Sequence, residues 1–153
     1  MRRTLMLIAG AGSAALLLAA FGFQFLGGMP PCKLCYWQRY GHGVAIAASV
    51  LCAMVPSRWI AGLGALGAAF SSTTGVYHTG VERGWWEGPT SCTSGSIRGL
   101  STEELMNQVM NAPLVRCDEV PWDMLGLSMA SWNAVASAVL VAVWIAAILA
   151  PRR

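Results

Sequence analysis

The chain has 153 residues, of which 56% are hydrophobic and only 11% are charged, and its formal net charge is +3. A soluble domain has roughly 25% charged residues, so this composition argues against a soluble protein. We expect a small membrane protein that forms one integral membrane domain over residues 1–153, with neither nucleic acid nor a metal among its ligands.

Four apolar runs follow one another along the chain, over residues 4–26, 36–55, 59–77 and 125–150. Each is about the 20 residues that a helix needs to cross a hydrocarbon core of roughly 30 Å, and a backbone in lipid must satisfy its own polar groups. The sequence therefore predicts an all-α, polytopic membrane protein with a bundle of four transmembrane helices. The second and third runs are the weaker two, because glycines, His42 and residues 71–74 dilute them.

The first run begins after Arg2 and Arg3, as the apolar part of a signal peptide also does. Its apolar stretch is longer than the about 7 to 15 residues of a signal sequence, and no A-x-A site precedes a polar start. We therefore expect an anchoring helix that is retained.

The charge pattern predicts the orientation of the four spans. An even number of spans places both termini on one side of the membrane. Arginines are concentrated in very short segments on that side, namely Arg2, Arg3, Arg58, Arg152 and Arg153. The positive-inside rule makes this side cytoplasmic. The outward loops are then residues 27–35 and 78–124, and the second contains all seven acidic residues.

Four of the five cysteines fall in the outward loops. Cys32 and Cys35 form a tight pair with two residues between them, and Cys92 and Cys117 form a wide pair with 24 residues between them. Disulfides persist only in oxidising compartments, so an outward position suits both pairs. The fifth, Cys52, lies near the cytoplasmic end of the second span, and we expect it to be a small buried apolar residue.

The second outward loop has room for a short helix. Ser101 and Glu104 form the pattern of a capping box, which marks a helix start. An apolar stripe follows at helical spacing, made of Leu105, Met106, Val109 and Met110. The sequence predicts an amphipathic helix that ends before Pro113 and rests either on the membrane surface or on the bundle.

The tight pair admits three interpretations from its spacing. Pairs of the C-x-x-C type often contain one thiol with a strongly lowered pKa, which favours redox exchange. A structural disulfide and half of a zinc site remain as alternatives, although structural zinc sites typically use two tight pairs. A haem attachment site is excluded, because Tyr36 and not histidine follows Cys35.

Two further residues favour redox exchange with an organic acceptor. Arg39 lies one helical turn after Cys35, where a cation would stabilise a thiolate and donate a hydrogen bond to a quinone carbonyl. His78 ends the third apolar run at the same outer boundary and could donate a proton or a hydrogen bond there. Each residue also has a simpler interpretation, Arg39 as a boundary anchor and His78 as a helix cap.

Three segments resemble the DsbB family of bacterial disulfide bond formation proteins. They are Pro31-Cys32-Lys33-Leu34-Cys35-Tyr36-Trp37-Gln38-Arg39-Tyr40, Cys117-Asp118-Glu119-Val120-Pro121-Trp122, and Leu125-Gly126-Leu127-Ser128-Met129 with Trp132-Asn133. The resemblance implies a quinone-dependent thiol-disulfide oxidoreductase in the bacterial inner membrane, with its redox loops in the periplasm. The partner it implies is a DsbA-like periplasmic thiol oxidase, and the acceptor is ubiquinone or menaquinone.

The resemblance also implies a role for each site residue. The partner attacks Cys92, and Cys117 passes the electrons to Cys32. Cys35 then faces the quinone as a thiolate with Arg39 beside it, and His78 lies near the quinone. The wide pair should be mobile and exposed in its loop, since exchange requires access to its sulfurs.

Two rival classes remain at this stage. A VKOR-like quinone oxidoreductase is also a helical bundle with a C-x-x-C pair, but that pair lies late in the chain, whereas here it follows the first span. A non-enzymatic membrane protein could use the same cysteines as structural disulfides. Reduction of quinone by the purified protein distinguishes an enzyme from such a protein.

Overall fold

The structure is a computed structural model that describes residues 1–90, 92–93, 99–110 and 115–151. Three residues used in the sequence predictions lie outside these ranges. They are Pro113, which bounded the loop helix, and Arg152 and Arg153, which counted among the cytoplasmic charges.

Helices dominate the described chain. They are α1 (Arg2–Phe25), α2 (Lys33–Met54), α3 (Arg58–Glu82), the short α4 (Thr102–Met110) and α5 (Met129–Leu149). A two-residue strand β1 (Asp123–Met124) pairs antiparallel with β2 (Leu127–Ser128), in the register Asp123 with Ser128 and Met124 with Leu127. The hairpin turn contains Leu125 and Gly126, both with positive φ.

The four long helices form a bundle. Helix α2 packs against α1 and α3, and α5 packs against α3 and α1. The core at the end that contains Cys52 includes Trp144, which is fully buried beside Gly64. Cys52 is itself fully buried there, as expected for a small apolar residue.

The helix boundaries differ from the predicted spans at the outer end of the bundle. Helix α2 begins at Lys33 because Cys32 is its N-cap, and α3 continues past residue 77 to Glu82. The fourth span was predicted to begin at residue 125, and this is wrong, because residues 125–128 belong to the hairpin and α5 begins at Met129. Ser128 caps α5 by accepting a hydrogen bond from the backbone N–H of Ser131, which stops the helix from extending towards the hairpin.

Within the described residues, two helices are long and apolar enough to cross a membrane by composition, namely α1 and α5, each with a mean hydropathy of 2.1. Helices α2 and α3 contain buried polar side chains that face the inside of the bundle. Those of α2 include Gln38, His42 and Ser49, and those of α3 include Ser71, Thr74 and His78. These polar inner faces lower the mean hydropathy of α2 and α3.

Helix α4 lies where the capping box predicted a helix. The backbone N–H of Ser101 donates to Oε2 of Glu104 at 2.8 Å, and the backbone N–H of Glu104 donates to Oγ of Ser101 at 3.3 Å. The apolar stripe of this helix is exposed, with Met110 76% accessible.

Candidate functional site

The start of α2 positions the tight pair. Cys32 precedes the first helical residue, and its Sγ accepts a hydrogen bond from the backbone N–H of Cys35 at 3.4 Å. The two Sγ atoms lie 3.3 Å apart, and both cysteines are free thiols. One turn of helix therefore holds the two sulfurs within reach of a disulfide.

The wide pair forms a disulfide between Cys92 and Cys117. The backbone N–H of Cys117 also donates to the carbonyl of Cys92 at 2.6 Å. Both residues are buried, in one cluster with Cys32, Leu34 and Val81. The structure thus brings together the two pairs that the sequence placed in separate loops.

The sequence prediction that the wide pair is exposed is wrong for this redox state. Cys92 is 1% accessible and Cys117 is fully buried. The physical reason is that the disulfide packs its apolar sulfurs against the start of α2 and against Val81 near the end of α3.

His78 lies at the centre of the site. Its Nε2 is 3.5 Å from Sγ of Cys32 and 3.8 Å from Oε1 of Glu82, and its Nδ1 is 3.0 Å from Nε2 of Gln38. Ser128 donates a hydrogen bond to Oε2 of Glu82, which ties the start of α5 to this group. The side chains of His78 and Glu82 are each 4% accessible.

The two thiols of the tight pair differ in acidity. The hydrogen bond from the Cys35 thiol lowers the pKa of Cys32 to about 4, against the effect of burial, and His78 lowers it further. The same hydrogen bond, together with burial and the charge on Cys32, raises the pKa of Cys35. The resemblance assigned the thiolate facing the quinone to Cys35, whereas with both thiols free the favoured thiolate is Cys32.

The neighbours of His78 also shift its titration and that of Glu82. Burial lowers the pKa of His78, but the hydrogen bond to Cys32 and the charges of Cys32 and Glu82 outweigh burial, so the pKa is raised. Burial raises the pKa of Glu82, against the hydrogen bond from Ser128. Both shifts favour the protonated form of the side chain.

Arg39 lies on α2 and points towards α1. Its Nη1 donates to Oε1 of Gln24 at 2.5 Å and its Nη2 to the carbonyl of Ala20 at 3.1 Å. The guanidinium also lies 5.1 Å from the ring centroid of Phe21. These contacts hold the cation at the boundary between α1 and α2.

A cavity of about 350 Å³ joins these residues. Its polar lining includes Cys32, Cys35, Gln38, Arg39, His78 and Glu82. Much of its apolar wall comes from α1 and α5, for example Leu16, Phe23, Ala130 and Trp132. Both thiols therefore line a largely apolar space that also contains cationic and hydrogen-bonding groups.

The site also has the geometry of a metal-binding cluster when the tight pair is reduced. The ligand atoms of Cys32, Cys35 and His78 all lie within 4.8 Å of one another. Two thiolates and an imidazole suit zinc, but oxidation of the pair removes both thiolates.

Two site residues were not singled out from the sequence, Gln38 and Glu82. Gln38 follows Leu34 by four residues, so it lies one turn further along α2, and Glu82 follows His78 by the same spacing on α3. This i, i+4 spacing on a helix was the available signal. It could not be used, because nothing in the sequence pairs α2 with α3.

Comparison with known proteins gives the same family over nearly the whole chain. The family model described as "Disulfide bond formation protein DsbB" matches residues 2–147. A relative from Shewanella sp. (strain MR-4), named disulfide bond formation protein B, is 33% identical over 132 residues, which cover 82% of this chain and 75% of the relative.

Two further relatives agree with that match. A protein of the same name from Stutzerimonas stutzeri is 30% identical over 139 residues, 86% of this chain and 85% of its own length. Disulfide bond formation protein B 2 from Pseudomonas aeruginosa is 30% identical over 129 residues, 80% of this chain and 76% of its own length. No solved structure matches the chain.

Proposed function

Since the chain belongs to the DsbB family of disulfide bond formation proteins, we propose that it reoxidises a DsbA-like thiol oxidase of the periplasm and passes the electrons to a membrane quinone. Family membership makes the chain a membrane-bound disulfide oxidoreductase. The direction of electron flow within it, from the wide pair to the tight pair, is our proposal. The observation that carries it is the single buried cluster in which the two pairs meet.

The exchange consists of four thiol-disulfide displacements, two by thiols of the partner and two by thiols of this chain. A partner thiolate attacks Sγ of Cys92 and displaces Cys117, and the second partner thiol completes the partner's own disulfide. Cys117 then attacks Sγ of Cys32 in the oxidised tight pair and displaces Cys35. Cys92 attacks Cys117, which restores the wide-pair disulfide and releases Cys32. Two electrons have then moved from the partner to the tight pair.

The redox state of the structure corresponds to the end of this exchange, with the wide pair oxidised and the tight pair reduced. It also accounts for the roles of both thiols. While Cys32 is bonded to Cys117, its Sγ carries no charge and accepts no hydrogen bond from the Cys35 thiol. Two causes of the raised pKa of Cys35 are then removed. Cys35 is the free thiolate near Arg39 in this intermediate. Once released, Cys32 becomes the favoured thiolate, and loss of two electrons from the pair to a quinone would close the tight-pair disulfide.

The cavity fits a quinone headgroup. Its volume of about 350 Å³ and its mostly apolar walls are typical of small-molecule sites. Arg39 provides hydrogen-bond donors for a carbonyl oxygen, and His78 and both sulfurs line the same space. The quinone, when bound, accepts two electrons and two protons. Once Cys32 has been released, the pKa values of Cys35, His78 and Glu82 are all raised, which favours protonated groups beside the acceptor. Ubiquinone and menaquinone both fit this chemistry.

The orientation in the membrane follows from the charge pattern. We propose that the apolar runs within α1, α2, α3 and α5 span the inner membrane, with both termini in the cytoplasm and with the two cysteine pairs, His78 and Glu82 on the periplasmic side. The polar side chains of α2 and α3 are buried inside the bundle, which supports a span for each despite their lower hydropathy.

The relay is tested by removing one cysteine from each pair. Cys35→Ser should lose reoxidation by quinone but oxidise one equivalent of reduced partner in a burst, because the wide pair remains intact. Cys92→Ser should show no burst, while its tight pair can still be oxidised by quinone. The measurement is stopped-flow oxidation of a reduced DsbA-like protein. Equal bursts in the two variants, or steady turnover of Cys35→Ser, would show that there is a single exchange site.

A further inference from the structure

Gln38 makes two contacts through one atom. Its Nε2 lies 3.3 Å from the carbonyl oxygen of Leu34 and 3.0 Å from Nδ1 of His78. An amide nitrogen donates two hydrogens and accepts none, so Nδ1 of His78 must be the accepting nitrogen of the ring. The opposite amide orientation would place Oε1 against the carbonyl of Leu34, two acceptors in contact. The carbonyl of Leu34 therefore fixes the orientation of the Gln38 amide, and that amide requires Nδ1 of His78 to be the unprotonated nitrogen.

The other ring nitrogen faces acceptors. Nε2 of His78 lies 3.5 Å from Sγ of Cys32 and 3.8 Å from Oε1 of Glu82. A neutral imidazole with its lone pair on Nδ1 has its hydrogen on Nε2. Both sides of the ring thus require the same tautomer, and in that tautomer His78 donates towards the Cys32 sulfur.

We infer that Gln38 is a positioning residue for the thiol chemistry: it holds neutral His78 as the Nε2–H tautomer, so that the ring donates to the Cys32 thiolate whether or not it is charged. This inference rests on the proposed function, in which Cys32 acts as a thiolate. Gln38 is 6% accessible and His78 is 3% accessible, so water does not easily replace either contact.

The contribution of Gln38 depends on the charge of His78. The imidazolium carries hydrogens on both nitrogens, so it donates to Cys32 without help from Gln38, and its Nδ1–H faces the amide nitrogen of Gln38, which cannot accept it. The neutral ring has a choice of tautomers, and in the wrong one a lone pair on Nε2 would face the thiolate. Gln38 therefore matters above the pH at which His78 loses its charge. The ionisable side chains that line the cavity beside this contact are, with His78 itself, Cys32, Cys35, Arg39, His42, Glu82, Arg116 and Glu119.

The tautomer can be measured directly. The chain has two histidines, so ¹⁵N-histidine labelling of the reduced protein gives few side-chain signals, and His78→Gln assigns them. Above its titration, His78 should have a protonated Nε2 in the unmodified protein. Gln38→Glu replaces the donor with an acceptor of the same shape and should move the hydrogen to Nδ1. A hydrogen on Nδ1 in the unmodified protein, or the same tautomer in both proteins, would overturn the inference. Neither quinone nor partner is present, so this result is independent of the proposed relay.

A kinetic measurement distinguishes positioning from a structural role. Gln38→Met keeps the length of the side chain but cannot donate. Reoxidation of its tight pair by quinone should be no slower than in the unmodified protein at pH values where His78 is charged, and should be about tenfold slower where His78 is neutral, the effect of one charge-assisted hydrogen bond. Gln24→Met is the matched control, because Gln24 contacts Arg39 and should change the rate by the same factor at every pH. A uniform loss in Gln38→Met would reduce Gln38 to a packing role.

Discussion

At the residue scale, the acidity of Cys32 depends first on its neighbour Cys35. When Cys32 is ionised, the thiol of Cys35 donates to its Sγ, 3.3 Å away, and this hydrogen bond is the largest cause of a Cys32 pKa of about 4. A thiol in an unfolded chain has a pKa of about 8.5. Because the folded value is the lower one, the stabilisation of the reduced protein is fully present above the unfolded pKa. It is lost as the pH falls through about 4.

The hydrogen bond from Cys35 predicts different pKa values of Cys32 in two variants of Cys35. Cys35→Ser keeps a hydroxyl donor and should leave Cys32 ionised at neutral pH, whereas Cys35→Ala removes the donor and should raise the pKa of Cys32. The measurement is the pH titration of thiolate absorbance in the reduced variants, in which the signals of the other cysteines cancel by difference. Identical titrations of the two variants would mean that burial and His78, not Cys35, set the acidity of Cys32.

Arg39 is the second residue whose role can be measured. A charge-assisted hydrogen bond contributes about 1.5 to 3 kcal/mol, so Arg39→Ala should lower the catalytic efficiency towards quinone by roughly tenfold to a hundredfold. Arg39→Lys, a point charge without the planar fork, should be intermediate. Arg83→Ala is the control, because Arg83 is a boundary arginine that contacts the carbonyl of Gly126 and does not line the cavity. Unchanged quinone kinetics in Arg39→Ala would make this residue a boundary anchor only.

At the scale of elements, the crossing of α2 and α3 determines how His78 reaches the tight pair. The two helices approach at Gly41 and Gly67, where a Cβ on Gly41 would lie 2.5 Å from the carbonyl oxygen of Gly67. Such contact between backbones requires glycine on the facing sides. The polar inner faces of both helices are then close enough for Gln38 to contact His78 directly.

The crossing can be tested with two glycines of the same helix. Gly41→Ala should force the helices apart and cost roughly 1–3 kcal/mol, the usual cost of overpacking a tight interface. Gly43→Ala has open space for its Cβ and should be neutral or stabilising, since alanine is the better helix former. Thermal unfolding in detergent compares them. Equal Tm values would show that the helices separate at Gly41 without cost.

At the scale of the whole molecule, the proposed orientation places the redox end of the bundle in the periplasm. The native cysteines of the redox pairs are poor reporters of this, because three of the four are 5% accessible or less. Thr102 in α4 and Pro56 between α2 and α3 are both exposed and lie at opposite ends of the bundle in the proposed topology. Each offers a position for a new cysteine.

The orientation predicts opposite labelling of these two positions. An impermeant thiol reagent should label Thr102→Cys in intact cells, and should label Pro56→Cys only after the membrane is permeabilised. The unmodified protein, treated in the same way, measures the background from Cys52 and the redox pairs. Labelling of Pro56→Cys in intact cells would reverse the topology.

The sequence alone was sufficient for the helical fold, the two cysteine pairs, the capping box of α4 and the family. These features are local, because span length, a C-x-x-C spacing and a helix N-cap each depend on residues within a few turns of one another. The same reasoning placed the start of the fourth span four residues early, since the hydropathy of Leu125 and Leu127 does not reveal the hairpin turn.

Only the tertiary structure decided which site residues contact one another and which thiol of the tight pair is the more acidic. Burial of the Cys92–Cys117 disulfide, the Gln38–His78 contact and the Cys32–His78–Glu82 array all join segments that are far apart in the chain. Cys32 is the more acidic thiol of the pair, and this likewise depends on the hydrogen bond between the two thiols and on His78, which is 46 residues away in the chain. Hydropathy and spacing describe single helices, whereas these contacts arise from the close packing of α2 on α3, which depends on matched small residues in both.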